Sequence, residues 1–381
     1  MLKKITGYLK KELMLTVSVA AAVAALIITP PSLKLLEDID WKTLATLFMM
    51  LTVLEGFKKE NIFRPVIRLA GRLKTMRAMS FFLIFGVFFS SMFVTNDVSL
   101  IIFVPLTIMI FRDGGKEKYI LPVISMENIA AVRGSMLTPF GSPQNLFIFA
   151  QSGIDAGTFI LHMLPLWIFS GLLLCGFICF LYRKDPKESI LSGGLALQGE
   201  WALERKRYRI CYLCLFALVL FTIVSRTALW PYITLAVVVA VVIFDVGVLK
   251  RTDYVLLLTF LCFFIFSSSI TSNAAVSGFL SGVVSGYEYV WGILLSQVIS
   301  NVPASIVLYP FTTNIAGLLY GVDSAGLVFI IGSLASVINY RIYVKEYPGN
   351  GKAFIKYFTL ISLAFFAIVV VPGYFLSYWK F

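Results

Sequence analysis

The sequence predicts an all-α polytopic membrane protein with about 10–11 transmembrane segments, arranged as an inverted-topology repeat with two re-entrant hairpins and two broken helices. Three observations predict this class. First, the 381 residues are 59% hydrophobic and only 14% charged, whereas soluble domains are about 45–50% apolar and 25% charged. Second, polar residues interrupt four of the apolar runs. Third, basic residues collect in alternate connecting segments.

The apolar runs divide the chain into five regions. In order, these are an amino-terminal helix (1–39), a first repeat unit (40–157), connecting helices with a cytoplasmic loop at 183–209 (158–251), a second repeat unit (252–345) and a carboxy-terminal helix (346–381). Each repeat unit is predicted to contain one hairpin and one broken helix. The hairpins are placed at 81–111 and 290–311, and the broken helices at 119–151 and 325–344.

The basic residues predict the orientation, because Lys and Arg collect in cytoplasmic loops. With the amino terminus inside, 27 of the 32 Lys and Arg lie on the cytoplasmic side. The other five are Lys34, Lys42, Arg226 and Lys380 on the outside and Arg133 within the membrane. The net charge of +12 therefore indicates membrane loops rather than nucleic-acid binding. We predict an integral protein of the cytoplasmic (inner) membrane with its amino terminus in the cytoplasm.

Matching residues in the two halves predict the repeat. Asp40-Trp41 matches Asp253-Tyr254, Thr95-Asn96-Asp97 matches Ser300-Asn301-Val302, and Gly141-Ser142 matches Gly332-Ser333. The offsets between the halves, 213, 205 and 191, drift only as loops shorten. In the predicted orientation the first unit begins outside and the second begins inside. Broken helices at corresponding positions of an inverted repeat indicate a substrate site at the bilayer midplane.

Each break also has the residue types that begin a helix. Asn, Asp and Ser cap helix starts, and Pro suits the first helical turn. Each start carries about half a positive charge, so converging starts favour a small anion, and freed carbonyl groups favour Na⁺. The predicted substrate-binding residues are Asn96, Ser142, Gln144, Asn145, Ser300, Asn301, Ser333 and Arg133. The predicted ion-coupling residues are Thr95, Asp97, Gly141, Gly332 and Ser336, with possible Na⁺ ligands at Asn96, Asp97 and Asn301.

Several of these residues have a second interpretation. Asp97 can titrate a proton or bind Na⁺, but it can also simply cap a helix. Arg133, eight residues before Gly141, either lines an inner route for an anion or extends its charge to the membrane interface. Serines at the breaks can be packing residues. Glu127 is expected at the interface.

These motifs resemble those of the ion transporter superfamily, specifically the citrate-transporter-like and arsenical-pump-like permeases related to divalent anion:sodium symporters. The resemblance rests on residues 94–97, 137–146, 300–303 and 332–336, and it extends from about Asp40 to Tyr357. It implies a scaffold domain, a transport domain and elevator-type alternating access. It also implies a homodimer driven by a sodium or proton gradient.

Two features depart from the family pattern. Sodium-coupled dicarboxylate members have Ser-Asn-Thr at both hairpin tips, whereas this chain has Thr95-Asn96-Asp97 and Ser300-Asn301-Val302. The missing second hydroxyl group disfavours a dicarboxylate and a second sodium site. Arg133 stands where the broken helix is expected to be apolar.

The favoured prediction is a secondary active transporter for a small anionic solute, with Na⁺ or H⁺ as coupling ion and no other cofactor. An arsenite or antimonite efflux permease and a sodium/proton antiporter are open alternatives. A channel is disfavoured because the inverted repeat indicates alternating access. An enzyme is disfavoured because the sequence contains neither a His-Glu-x-x-His motif nor a Gly-x-Ser-x-Gly elbow.

Overall fold

A computed structural model describes residues 13–29, 33–63, 65, 69–190 and 206–379. Helices dominate these residues, and an isolated β-bridge joins Thr75 to Ser189. The predicted all-α class is therefore confirmed. The lysines near the amino terminus and residues 191–205 of the predicted cytoplasmic loop lie outside the described residues.

The described helices are numbered here in chain order. They are α1 (Leu13–Ile28), α2 (Leu33–Asp38), α3 (Trp41–Lys59), α4 (Met76–Val94), α5 (Asn96–Asp113), α6 (Ile120–Ser135), α7 (Pro143–Ser152), α8 (Ala156–Leu181), α9 (Lys206–Ser225), α10 (Trp230–Leu249), α11 (Tyr254–Thr271), α12 (Ala274–Val284), α13 (Glu288–Ile299), α14 (Asn301–Leu308), α15 (Ile315–Ala325), α16 (Leu334–Glu346) and α17 (Gly351–Ser377). Short 3₁₀ segments lie at Leu69–Arg72, Glu117–Tyr119, Tyr309–Phe311 and Ile330–Gly332.

Six of the described helices are long and apolar enough to cross a membrane, namely α4, α8, α9, α10, α11 and α17. Large apolar side chains such as Leu172, Phe221 and Ile243 are exposed on their outer faces. In water such surfaces would be unfavourable, whereas in a bilayer they contact lipid. The chain is therefore a polytopic membrane protein. The total of about 10–11 segments stays a prediction, because breaks divide the other apolar runs into shorter helices.

The helices that begin the two repeat units, α3 and α11, lie antiparallel. Ser268, near the end of α11, donates a hydrogen bond to Asp38, just before α3 (2.7 Å). Thr52, in the second half of α3, bonds Thr252, just before α11 (3.1 Å). The start of each helix therefore lies beside the end of the other. An aspartate side chain caps both starts.

Each hairpin turns at a single residue with an unusual backbone conformation. Helices α4 and α5 meet at Thr95 (φ 71°, ψ 155°), and α13 and α14 meet at Ser300 (φ 69°, ψ 158°). Only glycine adopts these angles easily, and strain of this kind costs another residue about 1–3 kcal/mol. Each turn lies one residue before an asparagine, inside the segment predicted as an interruption. Both halves carry the same strain.

The hairpins open toward opposite ends of α8. At the open end of the first hairpin, Ser80 of α4 bonds Tyr182, which follows the last residue of α8 (2.7 Å). Near the open end of the second hairpin, Tyr320 of α15 donates to the carbonyl oxygen of His162, seven residues into α8 (2.6 Å). Since α8 has 26 residues, it spans about 39 Å. The two openings are therefore far apart.

The broken helices differ in extent from their predicted bounds. The first extends from Ile120 to Ser152, one residue from each predicted bound, and its break occupies residues 136–142. The second begins at Ile315 rather than at residue 325, because Asn314 caps α15 by accepting a bond from Gly317 N (3.0 Å). Its break occupies residues 326–333.

The packing of the two halves is matched. The first arm of each hairpin packs on the helix that precedes the break of its own half, α4 on α6 and α13 on α15. The second arm packs on the helix that follows the break of the other half, α5 on α16 and α14 on α7. Because the second arm of each hairpin packs on a helix of the other half, the two breaks lie close together.

Candidate functional site

The tip of the first hairpin contacts the first break directly. The backbone N–H of Asn96 donates to the carbonyl oxygen of Gly141 (3.3 Å), and the Thr138 hydroxyl donates to the carbonyl oxygen of Met92 (2.5 Å). Thr95 and Asn96 are buried. The first hairpin tip and the break of the first broken helix, two of the four predicted breaks, are therefore in direct contact.

Asp97 lies beside this contact and points toward the α3/α11 pair. The Asn96 side chain accepts a bond from the backbone N–H of Asp97 (2.9 Å). Among the described residues, no partner bonds the buried Oδ1 atom of Asp97. Its carboxylate interacts electrostatically with Asp253, which precedes α11, and with Lys58 at the end of α3. A buried carboxylate oxygen without a partner, such as Oδ1 of Asp97, can take a proton or bind a cation.

The start of α7 presents two amide side chains to a buried carboxylate. Ser142 caps the helix by accepting a bond from the backbone N–H of Asn145 (3.4 Å), and Pro143 occupies the first turn. Gln144 Nε2 donates to Asp323 Oδ1 (3.1 Å). The Asn145 amide is oriented with its nitrogen toward Asp323, where it lies 3.0 and 3.2 Å from the two carboxylate oxygens.

Asp323 is a site residue that the sequence reasoning missed. It lies two residues before the end of α15 and is fully buried. The sequence does contain a signal for Asp323. It follows Arg133 by 190 positions, which is nearly the offset of 191 positions between Gly141 and Gly332. Arg133 likewise lies two residues before the end of its helix, α6. The two breaks thus carry opposite charges at matched positions.

Arg133 is enclosed by protein. Its side chain is 0% exposed, so it does not extend to the interface. Nη2 donates to the hydroxyl of Ser324 (3.1 Å), and Nη1 lies 3.5 Å from Met136 Sδ. The guanidinium interacts electrostatically with Asp323. The sequence predicted Arg133 eight residues, or about two turns, before the break at Gly141. Because α6 ends at Ser135, Arg133 instead lies at the break itself.

The tip of the second hairpin is buried but less directly connected. Ser300 and Asn301 are both enclosed, and the Ser300 hydroxyl donates to Asn301 Oδ1 (3.4 Å). Gln297, three residues earlier, joins this hairpin to the second break. Its Nε2 donates to Ala325 O (3.0 Å), and its Oε1 accepts from Phe329 N (3.2 Å). The sequence pattern alone did not single out Gln297.

The remaining predicted residues lie around the second break. Ser333 precedes α16 without a side-chain capping bond and packs against Gly326. A Cβ added to Gly332 would lie 2.4 Å from the carbonyl oxygen of Ala325, so the close approach requires glycine. Ser336 accepts a bond from Asn128 Nδ2 (3.0 Å). Ser336 therefore faces α6 rather than the carboxylate of Asp323.

A second correction concerns Glu127. It was expected at the interface, but it is 0% exposed and accepts a bond from the hydroxyl of Thr107 on α5. It lies on α6, one turn and a half before Arg133. All residues of α6 except Leu121 are buried, so a charged residue on this helix faces neighbouring helices.

A polar cavity of 380 Å³ lies between the α3/α11 pair and the helices α7 and α14. Asp38, Asp40, Gln151, Ser268 and Tyr309 are among its lining residues. Gln151, at the end of α7, donates to Asp40 (2.7 Å). The cavity lies at the ends of these helices, whereas the Gln144–Asp323 contact is enclosed. Within the described part of the chain, no group of three His, Cys, Asp or Glu is placed to hold a metal ion.

The arrangement can bind ions of both signs. Donors for an anion come from the starts of α5, α7 and α14, from the amides of Gln144 and Asn145, and from the Arg133 guanidinium. Carbonyl oxygens freed at the breaks and the carboxylates of Asp97 and Asp323 can bind a proton or a cation. Intramembrane charges of this kind are costly, and they typically mark a transport pathway.

Comparison with known proteins identifies the family. The profile of the citrate transporter family matches residues 8–336. The chain is 29% identical over 350 residues to "Uncharacterized transporter MJ0456" of Methanocaldococcus jannaschii, covering 91% of this chain and 92% of that protein. It is 32% identical over 318 residues to "Inner membrane protein YbiR" of Escherichia coli, covering 80% of each. A segment of 192 residues is 29% identical to the human "P protein", covering 45% of this chain and 22% of that protein. With buried charges at paired helix breaks and this match over most of its length, the chain belongs to the citrate transporter family of membrane transporters.

Proposed function

We propose that this protein is a secondary active transporter that moves a small anionic solute across the inner membrane, driven by a Na⁺ or H⁺ gradient. The observation that supports it is the enclosed polar cluster at the breaks, where Asn96 contacts Gly141 and both Gln144 and Asn145 contact Asp323. Such a cluster at membrane depth is unfavourable unless it serves binding. The anion would bind to the helix starts and to Arg133.

We propose alternating access by an elevator movement of an inverted repeat. The antiparallel α3 and α11, the opposite openings of the hairpins and the exchanged packing of α5 and α14 support a twofold relation within the membrane. In this proposal the hairpins and broken helices move against a scaffold that includes α3 and α11. The cavity at Asp40 and Gln151 lies along that boundary. We further propose that two copies form a homodimer through the scaffold.

We propose that Asp97 carries the coupling ion at the same boundary. The unpaired Oδ1 atom and the nearby charges of Asp253 and Lys58 support this role. If the ion is Na⁺, the Asn96 side chain and the carbonyl groups at the Thr95 turn would complete its coordination, with Asn301 contributing from the second tip. Thr95, Gly141, Gly332 and Ser336 would shape the surrounding backbone.

Uptake into proteoliposomes tests the proposal. The purified full chain is reconstituted, and radiolabelled citrate, phosphate and arsenite are offered under imposed Na⁺ or pH gradients of either direction. Accumulation of an anion above its outside concentration, abolished by collapsing the ion gradient, is the expected result. Flux that only equilibrates the probe would indicate a channel, and chemical conversion of the probe would indicate an enzyme. Gradient-driven uptake of Na⁺ with no anion would indicate a sodium/proton antiporter.

A further inference from the structure

The two charges at the matched helix ends do not satisfy each other. Buried Arg side chains normally form two parallel bonds to a carboxylate. Here Arg133 and Asp323 interact electrostatically, yet no direct ion pair joins them among the described residues. Arg133 Nη2 bonds the Ser324 hydroxyl instead, and Nη1 faces a thioether sulfur. The guanidinium therefore lacks the anionic partner that its burial requires.

Two buried polar atoms at this place have no partner within the described residues. They are Nε of Arg133, a donor on a side chain that is 0% exposed, and Oε1 of Gln144, on a side chain that is 2% exposed. An unpaired buried donor costs about 1–3 kcal/mol, and more when it is charged. The unfilled donor capacity of Arg133 thus indicates an anion that binds beside it.

Asp323, in contrast, is well supplied with donors. Its carboxylate accepts one bond from Gln144 and two close contacts from Asn145, at the start of α7. A helix start with two side-chain amides is a site for a carboxylate or another oxyanion. The Asp323 carboxylate occupies the position that a bound anion of this chemistry would use.

We infer that Asp323 is an internal substitute for the transported oxyanion, and that a proton on Asp323 and an oxyanion held by Arg133, Gln144 and Asn145 bind together. When Asp323 is ionised, its charge repels the oxyanion and its oxygens occupy the two amides. When Asp323 takes up a proton, the amides and the start of α7 are released, and the oxyanion bonds them and the free donors of Arg133. One proton enters with each anion, in addition to the coupling ion proposed at Asp97, and no covalent bond is made or broken.

The surroundings of Asp323 leave few other groups to titrate with it. Arg133 faces it from α6, Tyr320 lies on its own helix, and Tyr289 faces Arg133 from α13. Helix α17 contributes Tyr374, whose ring packs on Tyr289 (5.7 Å between centroids). Helices α7 and α14, which also pack on α15, contain no titratable side chain.

Three further titratable groups lie on helices around α15 but have other partners: Glu288 accepts from Thr313 and Asn314, Glu127 accepts from Thr107, and the ring of His162 packs on Tyr320. The groups that interact with Asp323 itself are an arginine and a tyrosine, whose ordinary pKa values lie at 10 or above. We therefore assign the change of charge between pH 5 and 8 to Asp323.

The inference rests on the proposed function and goes further by naming the proton site and the class of ligand, a carboxylate or other oxyanion. It is tested by calorimetric titration of the purified full chain between pH 5 and 8 with sulfate and with lactate, two oxyanions whose own charge is constant over this range. We expect the affinity of the wild type to fall with rising pH, up to tenfold per unit as for one linked proton. Titrations in buffers of different ionisation enthalpy should show uptake of about one proton per anion.

Three variants distinguish the roles. Asp323→Asn should bind the anion with an affinity independent of pH and without proton uptake. Arg133→Gln should lose binding by roughly 100-fold at every pH, the size of a lost charge-assisted pair. Asp155→Asn is the matched control, because this exposed carboxylate caps α8 by accepting a bond from Thr158 N and Asn caps equally well. It should behave as the wild type.

A second measurement does not depend on any ligand. Infrared spectra of the wild type should show a carbonyl band of a protonated, buried carboxyl group that grows on acidification and is absent from Asp323→Asn, in which any bands of the buried Asp97 and Glu127 carboxyl groups remain. The inference is overturned if this band persists in Asp323→Asn, or if that variant keeps the pH-dependent affinity. It is also overturned if the dependence vanishes in Asp97→Asn instead. Failure of the proposed function has a different result: the wild type then binds neither anion at any pH, while the band of Asp323 still titrates.

Discussion

The two halves of the molecule share their backbone but not their side chains. Both hairpins turn at a residue with φ near 70° and ψ near 155°, and both helices before the breaks end two residues after a charged side chain. That side chain is Arg133 in the first half and Asp323 in the second. The residue after the tip asparagine is Asp97 in the first half and Val302 in the second. The difference indicates that the backbone of the turns does not depend on the charged side chains, which differ between the halves.

The hydrogen bonds that join each hairpin to the break of its own half also differ between the halves. In the first half, the Thr138 hydroxyl from the break bonds Met92, three residues before the tip. In the second half, Gln297, also three residues before its tip, extends its side chain into the break and bonds both Ala325 and Phe329. The position is matched, but the direction of the bond is reversed. The first hairpin is thus held through its backbone and the second through a side chain.

The largest expected effect concerns the helix crossings that hold each half together. A Cβ on Gly134 would lie 1.9 Å from the carbonyl oxygen of Phe88, and a Cβ on Gly321 would lie 2.5 Å from that of Tyr289. Backbone atoms cannot yield as a flexible side chain can, and overpacking costs about 1–3 kcal/mol or more. Gly134→Ala should abolish recovery of folded protein, and Gly321→Ala should lower the melting temperature by less. Size-exclusion profiles and thermal melts measure both.

Gly176→Ala on α8 is the control, because a Cβ at Gly176 would contact no atom within 4 Å. It should melt no lower than the wild type, since Ala favours a helix by about 0.5–1 kcal/mol over Gly. If Gly134→Ala were as stable as Gly176→Ala, the α4–α6 crossing described here would be incorrect. If Gly321→Ala were the more damaging variant, the second half would be the more tightly packed one.

The next effect concerns the carboxylate that only the first tip has. Each net positive charge moved inward by a potential of 100 mV supplies about 2.3 kcal/mol, enough for a roughly 50-fold solute gradient. If Asp97 carries the coupling ion, Asp97→Asn should reduce gradient-driven accumulation toward equilibration while equilibrium binding of the anion keeps its pH dependence. Uptake and calorimetry on the same preparation separate the two. Asp155→Asn, which keeps the cap of α8, should accumulate solute normally. Unchanged ion dependence in Asp97→Asn would remove Asp97 from coupling.

Much of this site could be predicted from local sequence, because a polar residue inside an apolar run is conspicuous. Thr95, Asn96, Ser142, Ser300 and Gly332 are all identified in this way, and the structure places each of them at a helix end. The amide–carboxylate contact could not be predicted locally, because Gln144 and Asp323 are 179 residues apart. The predicted repeat contains a long-range signal for the charges, because the offset of 191 between its glycines nearly equals the offset of 190 between Arg133 and Asp323.

The burial of charged side chains also could not be predicted from the local sequence pattern. Arg133 and Glu127 are both fully enclosed, although a charge near a helix end often reaches the interface. What encloses them is the packing of α4, α5, α8 and α17 around α6, and the local sequence does not specify which helices become neighbours. The start of α15 at Ile315 was not predicted either, for a different reason. Its cap, Asn314, follows two threonines that are typical of a loop.

The smallest effect concerns the strain that both tips share. Glycine at Thr95 or Ser300 would relieve about 1–3 kcal/mol of backbone strain but would add about 0.5–1 kcal/mol of unfolded-chain entropy. Thr95→Gly and Ser300→Gly should therefore each raise the stability by about 1 kcal/mol, measured as a higher melting temperature. Thr95→Ala and Ser300→Ala remove the hydroxyl groups but keep the strain, so they should not melt higher than the wild type. Because Thr is branched at Cβ and suffers more at positive φ, the gain should be larger at Thr95. An equal or smaller gain there would mean that the first tip is relaxed by contacts that the second tip lacks, such as the bond from Asn96 N to Gly141 O.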